Sequence, residues 1–169
     1  MKAVIIASIN QNLTKAVALI DSISCEQYCD ISVAPYYSSI GSHLRHALDF
    51  FDCIVTGLDN NAIDLTARKR DVTLAENREA AKSYIYELQQ ILNSYVGANT
   101  DYLLHVTDNL GTANVTVSYT LESILAHANS HATHHFATIG YLLCQQGVTC
   151  VIPGFGYNPT TPVKRREGI

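Results

Sequence analysis

The sequence predicts an all-α protein, a four-helix bundle with a short β-hairpin or extended segment before its last helix. Three observations carry this. Four segments of about 20 residues repeat apolar side chains at helical spacing. The connections between them are modest in length, which favours antiparallel neighbours. One stretch, residues 101–119, switches to β-prone residues around turn formers. No internal repeat, low-complexity stretch or linker-like shift divides the 169 residues, so a single domain, 1–169, is expected.

The first helix is expected over residues 4–28, with Leu13, Val17, Ile20 and Ile23 or Ser24 on one stripe. A loop punctuated by Pro35 follows. The second helix starts near Ser38-Ser39, both good N-cap residues, and runs to about Gly57, a suitable C′ glycine. Its sequence is apolar on most sides, so it should be largely buried, and such a helix also invites a dimer. A polar connection over residues 59–72 carries Arg68-Lys69-Arg70-Asp71.

Thr73-Leu74-Ala75-Glu76 has capping-box form, with Asn77 as a rival cap for the third helix. That helix runs to about Val96, with Ala81, Tyr84 or Ile85, Leu88, Ile91 or Leu92, and Tyr95 on its stripe, and Gly97 ends it. Tyr102-Leu103-Leu104-His105-Val106 and Val115-Thr116-Val117-Ser118-Tyr119 then flank the turn residues Asp108-Asn109-Leu110-Gly111. The fourth helix starts near Thr120-Leu121-Glu122 and ends at Gln146-Gly147. From about residue 148, Pro153, Gly154, Gly156, Pro159 and Pro162 mark an irregular tail.

Apolar residues make up 47% of the chain and charged residues 15%, which excludes intrinsic disorder. No apolar run reaches the length of about 18 residues that spans a bilayer, so no membrane helix is expected. The apolar start, Met1 to Ile9, lacks a small-residue cleavage site after it and reads as mature protein. A net charge of −4 offers no basic face for nucleic acid, and the cluster Lys164-Arg165-Arg166 reads as a solvated tail. Five cysteines without a CxxC motif argue against a disulfide framework and for a reducing cytoplasm. Cys25 and Cys29, one helical turn apart, read as small buried hydrophobes.

Histidine is the unusual residue. One segment carries His43 and His46, another His127, His131, His134 and His135. Imidazoles four apart on a helix lie about 6 Å apart along the axis and can share one ion. His127/His131 and His131/His135 have that spacing, and His131/His134 is a looser pair. Ile124, Ala128, Ile139 and Leu142 define an apolar stripe that passes through positions 131 and 135, so those two rings are expected to face the core. His127 and His134 fall toward the flanks. A buried imidazole without a partner costs on the order of 1–3 kcal/mol, and a cation would satisfy both rings at once. His43 or His46 could supply a third ligand, and spacing does not choose between them. A three-His site leaves positions open for water or substrate, as in catalytic zinc centres. His131 is followed by Ala132, so the HExxH glutamate base is not encoded. Two histidines one turn apart on one helix suit a small ion rather than the two faces of a haem.

Taken in order, Ser39-Ile40-Gly41-Ser42-His43-Leu44-Arg45-His46-Ala47-Leu48-Asp49 and His131-Ala132-Thr133-His134-His135 resemble the DinB-like (YfiT-like) metal-binding four-helix bundles. Ala67-Arg68-Lys69-Arg70-Asp71 and Phe155-Gly156-Tyr157-Asn158-Pro159-Thr160 resemble a little-characterised bacterial branch of them. The resemblance spans residues 35–160. It implies a divalent metal held by His46 from the second helix and by the HxxxH pair His131 and His135 from the fourth. By the same pattern His43 and His134 support the site or line its pocket, and Asp49 could orient His46. Phe136-Ala137-Thr138 follows the last ligand where better-known members have Arg-Gly-Gln, so the role of those polar residues does not carry over.

Characterised relatives include metal-dependent transferases and isomerases that use low-molecular-weight thiols, and homodimers are common among them. The implied function is therefore a divalent-metal enzyme, with Zn²⁺ or Ni²⁺ favoured by imidazole ligands. It would activate a thiol or water toward a small electrophile, by transfer or hydrolysis. Arg45 and the segment Arg68-Lys69-Arg70 could bind an anionic substrate. The alternative is a non-catalytic, stress-associated bundle that binds metal or sequesters a ligand. Metal binding should weaken below about pH 6, since imidazole must be neutral to ligate.

Overall fold

Helix α1 (Lys2–Ser22) buries Ile6, Ile9, Leu13, Ala16, Val17, Leu19 and Ile20, an apolar face at helical spacing. The computed structural model describes residues 1–99 and 102–162. The basic cluster Lys164-Arg165-Arg166 and the first residue of the 101–119 stretch lie outside the described residues. By length and composition alone α1 is apolar enough to cross a membrane, a test that the core helix of a folded protein also passes. This differs from the expectation drawn from apolar runs, because hydropathy averaged over a helix tolerates scattered polar residues. In the fold its apolar face packs on the rest of the protein.

The expected first helix is in fact two. Ile23 is extended, and Ser24 opens a capping box: its hydroxyl accepts from the Gln27 N–H while the Gln27 side chain accepts from the Ser24 N–H. That box starts the short helix α2 (Cys25–Cys29). Cys25 is exposed and Cys29 half-buried, so the pair is not the buried one expected. The inward residue of α2 is Tyr28, whose hydroxyl donates to the Leu74 carbonyl at 2.6 Å.

Helix α3 (Ile40–Gly57) begins where expected, with the Ser39 hydroxyl accepting from the Ser42 N–H. A Cβ at Gly41 would collide with the Ala75 carbonyl and the Tyr28 ring, so this glycine permits the close approach of the next helices. Gly57 is not the C′ residue. The chain continues into a 3₁₀ turn (Leu58–Asn60), and Asn61 takes the left-handed conformation at φ 52°. The expected third helix is again split. Asp71 caps the short α4 (Val72–Glu76), and Asn77 caps α5 (Arg78–Ser94) by accepting from Glu79 and Ala80. The rival cap therefore starts the long helix.

Strands β2 (Leu104–Asn109) and β3 (Asn114–Tyr119) form the expected hairpin, closed by a turn with Gly111 at φ 92°. A third strand was not expected. β1 (Ala62–Asp64) pairs in parallel with β2, placing Ile63 opposite Val106, so the sheet order is β1-β2-β3. Three residues are too few to show a period of two, and only Ile63 among them is buried. Helix α6 (Leu121–Gln145) starts at a Thr120 cap and is followed by Gly147 at φ 72°.

The protein is thus mostly helical, with four long helices, two short ones and a small three-stranded sheet among the described residues. α1 packs on α5 and α6, and α3 packs on α6, α4, α5, α2 and β1. The apolar surface of α3 is therefore consumed inside the chain, and its composition needs no second copy to cover it.

Candidate metal centre

The contact between α3 and α6 sets up the site. Along α6 the buried row is Leu125, Ala128, Ala132, Phe136 and Ile139, with Leu143 beyond it. The apolar stripe therefore runs through positions 132 and 136, one residue beyond the 131 and 135 expected. Stepping by four from Ala128 meets only apolar side chains, and burial follows that path. His131 and His135 sit on the adjoining row, half-buried at its flank. His46 on α3, also half-buried, faces them.

One ring nitrogen from each of His46, His131 and His135 lies within 4.8 Å of the others. Ring centroids are 5.1 Å apart for His46–His131, 4.5 Å for His46–His135 and 4.6 Å for His131–His135. These are the residues singled out from the sequence, brought together from two helices. His131 packs on Phe50 at 4.7 Å, and its Nε2, sealed from solvent, has no hydrogen-bond partner among the described residues. A buried ring nitrogen without a partner is uncommon and costs free energy unless a ligand satisfies it, and here it belongs to a ring that converges with two others.

Burial, then mutual repulsion, holds all three rings neutral. His131 is pushed down to about 4 by burial and by His46, and His135 to about 3 by burial and by His131. His46 is likewise pushed down to about 4 by burial and by the Arg68 guanidinium. Neutral imidazole is the ligating form.

His43 supports rather than joins the cluster. Its Nδ1 is 3.2 Å from His135 Nδ1, and its Nε2 is 2.8 Å from the Ser38 hydroxyl. In the tautomer pattern where His135 Nδ1–H donates to His43 and His43 Nε2–H donates to Ser38, His135 keeps Nε2 as a bare donor of its lone pair. Asp49 does not orient His46. Buried at 3% exposure, its carboxylate accepts from Arg45 one turn back at 2.5 Å, and burial raises its pKa against the pull of Arg45. The ring of His46 faces Arg68, whose Nη1 is 3.1 Å from Nδ1 and 3.4 Å from Nε2. Arg68 belongs to the loop after β1, and nothing in the sequence placed it beside α3.

His127 continues the histidine row but is held apart from the cluster, between Phe50 at 5.1 Å and Tyr119 at 6.2 Å. His134 is exposed, with its ring 5.2 Å from His135. It lines a separate groove of about 1070 Å³ between α6 and residues 150–161, a groove that His46, His131 and His135 do not line. Gly156, at φ 70°, lets the tail reach the α6 backbone, since a Cβ there would meet Ala137 N at 2.7 Å.

Helix order and histidine cluster together define a mainly helical protein with three imidazoles that could hold a metal ion. The profile of the DinB family matches residues 2–159, and the chain belongs to that family. No curated protein and no solved structure matches it. The residues fit the group that the family implies: three neutral imidazoles converge, and one of these rings, His131, carries a buried nitrogen without a partner among the described residues.

Proposed function

We propose that this protein is a divalent-metal-dependent enzyme, its four long helices acting as the bundle that carries a centre made by His46, His131 and His135. Zn²⁺ and Ni²⁺ suit an all-imidazole donor set best. The observation that carries the reading is the convergence of three ring nitrogens within 4.8 Å, with His131 Nε2 left unsatisfied. When bound, a divalent ion supplies the Lewis acidity that brings a thiol or water toward its anionic, nucleophilic form near neutral pH. The chain's own residues do the rest. In the tautomer where His135 donates Nδ1–H to His43 and His43 donates Nε2–H to Ser38, this relay fixes the His135 ring plane. Phe50 packs on His131 and limits water on that side. The nucleophile, a low-molecular-weight thiol or water, would attack a small electrophile at the open face.

Elemental analysis of untagged protein, followed by thiol-conjugation and ester-hydrolysis assays, tests this. One equivalent of metal with turnover, both lost in His131→Ala, supports it. Metal without turnover across thiols and esters would make the protein a non-catalytic metal binder. No uptake of Zn²⁺ or Ni²⁺ would reject the centre.

A further inference from the structure

The charges around the centre do not balance, and the imbalance identifies what the site lacks. Three neutral imidazoles bring no negative charge to a divalent cation. Arg68 brings a further positive charge to the same place, with Nη1 within 3.4 Å of both nitrogens of His46. Its position is fixed from behind, since Nε donates to the Leu65 carbonyl at 2.9 Å. The nearby carboxylates are already engaged. Asp49 accepts from Arg45, Asp52 accepts from Lys69 at 2.9 Å and from the Tyr84 hydroxyl at 2.8 Å, and Asp64 accepts from Thr66. Among the described residues Arg68 has no ion-pair partner. Asp49 also draws on Arg68 by its charge, but its carboxylate is already paired with Arg45, so a half-buried guanidinium facing a cation site gains from a further anion that arrives with the ligand.

We infer that Arg68 is the anion-recognising residue of this site and that the ligand taken over the three histidines is a small molecule bearing a carboxylate. The inference rests on the metal-centre reading above and adds the substrate class to it. A carboxylate is planar and has two oxygens, which matches the donor fork of a guanidinium while leaving charge for the cation side. The proximity of Arg68 to His46 then has a use: it holds the anionic end of the ligand against the centre, so that the reactive end is oriented by the same contact. Arg45, closer in sequence to His46, cannot serve, because Asp49 already neutralises it.

Cobalt titration tests the inference through binding alone. Wild-type protein, Arg68→Gln and Arg68→Lys are titrated with Co²⁺ in a non-coordinating, carboxylate-free buffer, then with acetate present, reading the visible spectrum and calorimetric affinity. Acetamide serves as the uncharged control. In wild type, acetate should tighten Co²⁺ binding by roughly 10- to 100-fold, the worth of charge-assisted hydrogen bonding, and by linkage Co²⁺ should tighten acetate equally. Arg68→Gln should bind Co²⁺ more tightly than wild type without acetate, and its response to acetate should largely vanish. Arg68→Lys should retain part of it. An acetate response in Arg68→Gln equal to wild type, or an acetamide response equal to that of acetate, overturns the inference while leaving the metal centre standing. Failure of wild-type protein to take up Co²⁺ overturns the metal-centre reading, and this inference with it. Thermal melts of the two variants separate loss of the Leu65 contact from loss of recognition, since Arg68→Lys keeps the charge without the Nε bond.

Discussion

Two neighbouring rows of side chains run along α6, and they are built for different ends. One row, Ala128, Ala132, Phe136 and Ile139, is sealed in the core and satisfied by packing. The other, His127, His131 and His135, lies one residue away, half-buried or exposed. His127 sits between Phe50 and Tyr119, apart from the cluster, whereas His131 and His135 converge with His46, and His131 keeps a buried Nε2 without a partner among the described residues. The shift of one position, about 100° around the helix, separates side chains that stabilise the fold from side chains that await something outside it. Polar rings on the core row would have no route for a ligand, and rings on the far surface would have no desolvation to keep them neutral. The flank supplies both.

Truncating side chains on each row in turn should separate the two roles. Phe136, 2% exposed and stacked on Phe155 at 5.0 Å, should cost about 3–5 kcal/mol of stability as Phe136→Ala. Chemical denaturation of metal-free protein measures it. His131→Ala and His135→Ala should each weaken metal binding by more than about 100-fold, beyond the loss usual for a supporting residue. For His131→Ala metal-free stability should move by less than about 1 kcal/mol, because a lost packing contact is offset by removal of an unsatisfied nitrogen, whereas His135→Ala also gives up its hydrogen bond with His43, worth about 1 kcal/mol. His127→Ala, on the same row, should leave metal affinity intact, and a loss equal to that of His131→Ala would erase the distinction within the row. His43→Ala should lower metal affinity by about 10- to 100-fold through the freed His135 ring, with the fold unchanged.

Acidity separates the rows by a smaller margin. The three site histidines titrate near 3 to 4 in the folded protein but near 6.5 when unfolded. The unfolded state therefore binds more protons between those values, and stability must rise with pH across that window. Metal-free protein should show no penalty from these rings above about pH 6.5, a growing one as pH falls, and the full penalty only below about pH 3, where His135 also titrates in the folded state. Melting temperature against pH measures it, and His46→Gln, His131→Gln and His135→Gln combined should flatten the curve. The same low values mean that protons compete with metal at lower pH than an ordinary imidazole would suggest, so occupancy should persist below pH 6.

The long helices were legible because each has enough turns for its apolar residues to recur and because Ser39, Thr120 and Gly147 mark ends. The hairpin was legible for the same reason at a period of two. The break at Ile23 was written in Ser24 and Gln27, but a helical stripe running through it masks a capping box. β1 is too short to carry a pattern, and its pairing with β2 depends on a partner 43 residues on, Ala62 with His105. In the site, His46, His131 and His135 could be named from the ordered motifs, although the core stripe was placed one residue off. Arg68 beside His46, and Arg45 rather than His46 on Asp49, follow from how a loop folds back onto α3 and from which neighbour on a helix face wins a carboxylate. Neither is encoded in local spacing.

The most direct measurement is an anomalous-difference map at the zinc edge from crystals of zinc-loaded protein. The expected result is one strong peak about 2.0–2.1 Å from a ring nitrogen of each of His46, His131 and His135. A peak elsewhere, or none at these rings with zinc in excess, would contradict the metal centre.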